Sequence, residues 1–334
     1  MSSRTLLRGL ACVITAAVLA SPTQAQDKFT LALNWIPHAL HFGIYLAQER
    51  GWYRDAGIDL TIQRGFGSTD TVKRVATGSA DFGMADAASV MVGRANGINT
   101  KLVAMLMERP ADAIYFVKGG DIKSVKDLEG NTMGAAAGET SLNLLPVFAK
   151  SAGIDSKKIN IVTMSSPNKI PSLVQRRVDT IVTFTNEEPM IRNAAKSANA
   201  EIGRFLFADY GVDYYSIGFI VSDKMFQSKP QAIEKFLEAT LRGYAEAFRD
   251  PAAGLDAFIK NNPESSRDLM QQQWEALQYN IKTPTALAKG LGFIDEDKMS
   301  KTLQLMREFQ NVKADVKPSE VYSIDELPRV DVNP

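Results

Sequence analysis

The apolar positions of the chain fall into two alternating rhythms. Short stretches in which every second residue, or every residue, is apolar are followed by longer ones in which apolar residues recur every three or four positions. This succession is expected of strands joined by crossover helices in largely parallel sheets. Strands are predicted over 29–33, 58–62, 81–84, 102–107 and 113–117, and again over 132–137, 159–163, 180–184, 204–207 and 216–222. Helices are predicted over 42–50, closed by Gly51, over 69–77 with Ser68 as its cap, over 89–96, closed by Gly97, and over 142–152, closed by Gly153. A short helix over 168–175 and another opening at Pro189 complete this part. From Pro230 onward the rhythm is almost wholly helical, over 231–249, 252–260, 265–279 and 296–309, with breaks at Pro251, Pro263 and Pro284. Phe236, Tyr244, Phe248 and Trp274 recur there at helical spacing and read as core.

At 334 residues the chain exceeds what one core usually spans, so two lobes are expected. Paired glycines in Lys118-Gly-Gly-Asp121 let the chain turn freely and mark the predicted boundary. The first lobe is thus expected to hold residues 26–118 and 215–334, and the second residues 119–214. Residues 1–25 read as an export signal: Arg4 and Arg8 supply positive charge, residues 9–20 an apolar run, and Thr23-Gln-Ala25 a small-x-small cleavage site. Cys12, the one cysteine, falls inside that segment, so the mature chain is expected to start at Gln26 without thiols or disulfides, as a periplasmic protein. A hydrophobic content of 45% and a charged content of 23% are those of a globular chain. The 38 basic and 38 acidic residues cancel, and no charge run points to nucleic acid or to anionic membrane.

Chemistry is concentrated after the first strand, where Asn34, Trp35, His38 and His41 crowd into one loop before the next helix. An indole face, an amide and two imidazoles suit a flat molecule with a polar edge. Ser68 after the second strand and Asp86 after the third join this group. In the second lobe, Gly138, Glu139, Thr140 and Ser141 offer N–H groups and hydroxyls at a helix start, and Asn186, Glu187 and Glu188 stand where a strand ends. One of the two glutamates is expected to read a ligand and the other to cap the following helix. Tyr214 and Tyr215 add flat faces opposite Trp35, one of them as its stacking partner. No nucleophile elbow, phosphate loop, dinucleotide fingerprint or zinc motif occurs, and His38 and His41 lack a third ligand, so no catalytic residue, cofactor or metal is expected.

These residues sit in motifs that resemble the exported solute-binding proteins of ABC importers in the nitrate/sulfonate and thiamin-precursor group. The resemblance rests on Leu33-Asn-Trp-Ile-Pro-His-Ala-Leu-His-Phe-Gly43, Gly51-Trp-Tyr53, Gly57-Ile-Asp-Leu60, Gly78-Ser-Ala-Asp-Phe-Gly83 and Val125-Lys-Asp-Leu-Glu-Gly130. It implies an α/β, two-lobe periplasmic-binding-protein fold of type II, each lobe a mostly parallel sheet flanked by helices, joined by two hinge crossovers. It also implies a monomer that captures a small molecule and delivers it to an inner-membrane ABC permease. Asn34-Trp35 and His41 are similar to the pyrimidine-binding branch, which implies a thiamin-precursor pyrimidine as ligand, with flavins, aromatic carboxylates and alkanesulfonates or taurine as alternatives. That branch includes an enzyme that makes the thiamin pyrimidine from pyridoxal phosphate and its own histidine, and His41 falls at that histidine. Ala85 stands where the enzyme has its Schiff-base lysine, and the stretch around Tyr214-Tyr-Ser-Ile217 has none of its iron-binding cysteines, so the synthase reaction is not expected.

Overall fold

A computed structural model describes residues 26–136, 139–310, 312 and 315–332, with the backbone alone at Thr140 and Asn143. The expected export signal and Gly138 lie outside the described residues. Among the described residues ten strands run in chain order: β1 Asp27–Ala32, β2 Ile58–Gln63, β3 Phe82–Asp86, β4 Thr100–Met105, β5 Asp112–Val117, β6 Thr132–Ala135, β7 Asn160–Thr163, β8 Thr180–Phe184, β9 Ile202–Leu206 and β10 Ile217–Ser222. They form two five-stranded sheets, ordered β2-β1-β3-β10-β4 and β7-β6-β8-β5-β9.

The two sheets share one plan. In the first, β1 is parallel to β2 and β3, and β10 is antiparallel to both β3 and β4. In the second, β6 is parallel to β7 and β8, and β5 is antiparallel to both β8 and β9. Each sheet is therefore mixed, and its antiparallel strand is the one that has just crossed over from the other lobe. The crossovers, residues 106–111 and 207–216, are bonded to each other: Met107 N–H donates to Ile217 O at 2.8 Å and Ser216 N–H to Met107 O at 3.1 Å.

This layout corrects the expected boundary at residue 118. β5, assigned by sequence to the first lobe, is buried in the middle of the second sheet, and the chain changes lobes before it. The glycine pair behind the expectation only turns the chain after β5, with Gly119 at φ +78.

The C-terminal helices cover the first sheet. Phe82 of β3 stacks on Phe236 with centroids 3.8 Å apart, and Trp274 stacks between Phe42 and Phe248 at 5.2 and 5.0 Å. Fully burying side chains of this size stabilises a fold by about 1.5–3 kcal/mol each. The helices Phe42–Glu49 and Pro230–Arg249 approach at a glycine pair, since a Cβ on Gly43 would lie 2.5 Å from the Tyr244 ring and one on Gly243 2.0 Å from the Gly43 carbonyl. That contact lets the Tyr244 hydroxyl donate to Leu40 O at 2.7 Å, which pins the loop between β1 and its helix. Among the described residues no helix is long and apolar enough to cross a membrane.

Candidate functional site

Three loops at the carboxyl ends of β1, β2 and β3 are fastened into one edge. Gly65 N–H donates to Trp35 O at 2.9 Å and Gly67 N–H to Asn34 O at 3.0 Å. Only glycine fits at 65, where a Cβ would lie 2.0 Å from the Leu33 carbonyl. Asp86 N–H in turn donates to Ser68 Oγ at 3.1 Å. Sequence reasoning made Ser68 the cap of its helix; Gly67, at φ +114, holds that position, and the Ser68 hydroxyl ties two loops together instead. Asp86 caps the helix Ala87–Ala95, accepting from Ser89 N at 2.6 Å and Ser89 Oγ at 3.1 Å.

Trp35 stands clear of both cores, 43% exposed, beside exposed Ile36 and Phe66. The histidines behave differently. His38 Nδ1 accepts from Leu40 N at 3.3 Å, and His41 Nδ1 accepts from His38 N at 3.1 Å, so the two rings cap the tight turn Ala39–His41 from both sides. Both are buried in the turn, and His41 meets Asn34, its Nε2 lying 3.0 Å from Asn34 Oδ1. Burial pulls His38 down to about 4, and burial followed by the neighbouring His38 holds His41 well below its ordinary value, so both rings are neutral.

The second lobe contributes a charged network at the ends of β6 and β8. Glu139 Oε2 accepts from Ala136 N at 2.8 Å, and its Oε1 pairs with the fully buried Lys169. Lys169 Nζ also donates to Val182 O at 3.2 Å and Thr183 Oγ1 at 2.9 Å, and the Thr183 hydroxyl donates to Glu187 Oε2 at 2.7 Å. Asn186 is half-buried on the same turn. Glu188 points away from this group. It accepts from the Tyr115 hydroxyl at 3.0 Å and pairs with Arg192 and Arg204. Burial opposes its ionisation, but the two guanidiniums outweigh that and keep the carboxyl below its usual range. Glu188 is therefore a structural anchor, and of the two glutamates Glu187 joins the network of Lys169 and Thr183.

Tyr214 and Tyr215 also part company. The Tyr215 hydroxyl accepts from Asp295 N at 2.7 Å, locking its buried ring onto the helix Glu296–Phe309, so of the two tyrosines Tyr215 is held in the first lobe. The Tyr214 hydroxyl donates to Asp112, as does Ser141 Oγ at 2.5 Å, which joins the second crossover to the start of β5 and to the helix Thr140–Asn143. Tyr214 is buried, so no stacking tyrosine opposes Trp35 in this arrangement. Gly138 lies outside the described residues, as does the Thr140 side chain.

Asp112, Lys169 and Thr183, which sequence reasoning did not single out, carry the polar bonds at these strand ends. Burial pushes Asp112 up to about 6, against the bonds from Ser141 and Tyr214 and with a smaller push from the Asp86 charge. The helix Arg267–Ile281 packs on both the His41 turn and the turn Thr185–Glu187, closing one side of the space between them. A cavity of about 600 Å³ lies beside the crossovers, lined by Pro110, Thr185, Glu188, Arg204, Tyr279 and Asn280. Neither Trp35 nor Glu187 borders it, so it flanks the assembled edges and is not formed by them.

Asp112 makes stability pH-dependent. With its folded value near 6 and its ordinary value at 3.8, the native state binds the extra proton between them. Its contribution is full below about pH 4 and is lost as the pH rises through about 6, a change on the order of 3 kcal/mol. Urea unfolding at about pH 4 and pH 7 should show Asp112→Asn losing this part of the wild-type pH dependence; an unchanged dependence would contradict the assignment.

Residues 38–254 match the family model described as NMT1/THI5 like. The chain belongs to the NMT1/THI5-like family. A formylaminopyrimidine-binding protein of Halalkalibacterium halodurans is 25% identical over 76% of this chain and 76% of its own length. The riboflavin-binding protein RibY of Chloroflexus aurantiacus is 24% identical over 94% of this chain and 90% of its own length. A 4-amino-5-hydroxymethyl-2-methylpyrimidine phosphate synthase of Saccharomyces cerevisiae is 23% identical, over 83% and 86%. Among solved structures, the periplasmic aliphatic sulphonate binding protein SsuA of Escherichia coli superposes with a TM-score of 0.70 at 15% identity, covering 90% of this chain and 92% of that one, a likeness of fold. The relatives of this chain thus include both binding proteins and a synthase.

Proposed function

We propose that this protein is the exported solute-binding component of an ABC importer, which holds a small planar heterocycle of the aminopyrimidine class between its lobes and hands it to a membrane permease. The observation that carries the reading is the Trp35 indole, 43% exposed at the carboxyl edge of the first sheet, outside both cores. A flat apolar face displayed there, with the Asn34 amide beside it and Glu187 on the other lobe, suits a ring with a polar rim. The two hydrogen-bonded crossovers are the natural hinge for closing the lobes on such a ring. Formylaminopyrimidine and riboflavin, the ligands in the names of two relatives, are both planar nitrogen heterocycles.

Binding without chemistry is the reading the residues favour over the synthase reaction. Ala85 is buried in β3 and offers no amine for a Schiff base, and His41 is walled in by its own turn. Lys169, the buried lysine among the described residues, is committed to Glu139, Val182 and Thr183.

A thermal-shift panel tests the ligand class. The chain without residues 1–25 should melt higher with 4-amino-5-hydroxymethyl-2-methylpyrimidine, at the several-degree level that saturating ligand produces, and show no shift with taurine. A shift with riboflavin alone would move the assignment to flavins. A shift with sulfonates alone would overturn the heterocycle reading.

A further inference from the structure

We propose that His41 is a positioning residue that fixes which way round the Asn34 amide sits, and thereby makes the site select ligands presenting a hydrogen-bond acceptor at that point. A backbone N–H can only donate. His38 N–H donates to His41 Nδ1 at 3.1 Å, so Nδ1 is the bare nitrogen of that ring. A neutral imidazole with a bare Nδ1 carries its proton on Nε2. Nε2 lies 3.0 Å from the Asn34 side chain and must donate to it, so the receiving atom is Oδ1. Once Oδ1 is engaged, the amide cannot flip without setting its NH2 against the Nε2 proton.

Three features keep the device rigid. His41 is fully buried, Tyr244 holds the turn from below through Leu40 O at 2.7 Å, and Asn34 is anchored by its own carbonyl accepting from Gly67 N at 3.0 Å. Among the described residues the Asn34 Nδ2 has no protein acceptor, and Asn34 is only half-buried. With Oδ1 turned to His41, the NH2 is the half of the amide turned outward. On the other lobe, Glu187 already receives the Thr183 hydroxyl at 2.7 Å and has acceptor positions left. Donor on one wall and acceptor on the other match a ring nitrogen next to an amino group. This pairing rests on the aminopyrimidine reading above; the orientation of Asn34 does not.

The tests separate the two. Long-range proton–nitrogen spectra of the ligand-free protein should show His41 bare at Nδ1 and protonated at Nε2, unchanged between about pH 5 and pH 8. A proton on Nδ1, or titration in that window, overturns the proposal whatever the ligand is. Calorimetry with 4-amino-5-hydroxymethyl-2-methylpyrimidine then reads the consequence. Asn34→Asp keeps the His41 bond but replaces the donor with a carboxylate, and should weaken binding by about tenfold to a hundredfold. His41→Leu frees the amide and should weaken it by about tenfold, whereas His41→Gln, with an acceptor and a donor spaced like the ring nitrogens, should restore most of the affinity. Equal affinity in wild type and Asn34→Asp, or His41→Gln as weak as His41→Leu, would overturn the proposal. Absence of binding to wild type would fail the ligand class alone and leave the spectra to decide the orientation.

Discussion

Lys169→Met should lose about 3–5 kcal/mol of stability, the usual cost of removing one partner from a buried ion pair. Lys169 is fully buried and makes its contacts on three sides, to Glu139, to the Val182 carbonyl and to the Thr183 hydroxyl. A methionine fills the space but leaves the Glu139 carboxylate, 12% exposed, facing an apolar group. Ligand binding should weaken as well, because Glu187 is oriented by Thr183, which Lys169 holds. Removing both charges is the control: Lys169→Met with Glu139→Gln should recover part of the loss, since a missing pair costs less than a stranded charge. Denaturant unfolding of the singles and the double measures this directly. Single variants within about 1 kcal/mol of wild type would mean that the pair is solvated and holds nothing.

Trp35→Ala should separate binding from folding in the opposite sense. Truncating an aromatic on which a planar base stacks typically costs about 1–3 kcal/mol, or roughly fivefold to 150-fold in affinity. The indole is 43% exposed and belongs to neither core, so unfolding free energy should change by less than about 1 kcal/mol. Calorimetry and urea unfolding of the same variant give both numbers. Unchanged affinity for the aminopyrimidine would remove Trp35 from the site, and a large stability loss would make it a packing residue.

What the sequence revealed, and what it hid, divides along the range of the interactions. The strand–helix alternation and the Asn34–Trp35 loop are local, set by neighbours within a few residues, and both were legible. The lobe boundary was not. β5 is wholly buried and reads the same in either sheet, and the crossover before it has no composition of its own. The adjacent pairs Glu187/Glu188 and Tyr214/Tyr215 were left open because neighbours in a loop point in different directions that spacing does not encode. Long-range partners decided them: Arg204 draws Glu188 outward, and the Asp295 amide holds Tyr215 in the first lobe. Lys169 and Asp112 gave no signal, since each becomes polar machinery only through residues 30 and 102 positions away, Glu139 and Tyr214. The histidines carried a partial one: two imidazoles beside a tryptophan read as ligand contacts, and spacing does not reveal that their Nδ1 atoms close the backbone of a single turn.

The most direct test of reversible capture between two lobes is a titration of the mature protein with 4-amino-5-hydroxymethyl-2-methylpyrimidine, followed by denaturation and mass measurement of the released molecule. Saturable binding of one molecule per chain, with the molecule recovered at its original mass, is the predicted result. A recovered mass different from the one added, or no saturable binding of this or any other planar heterocycle, would contradict it.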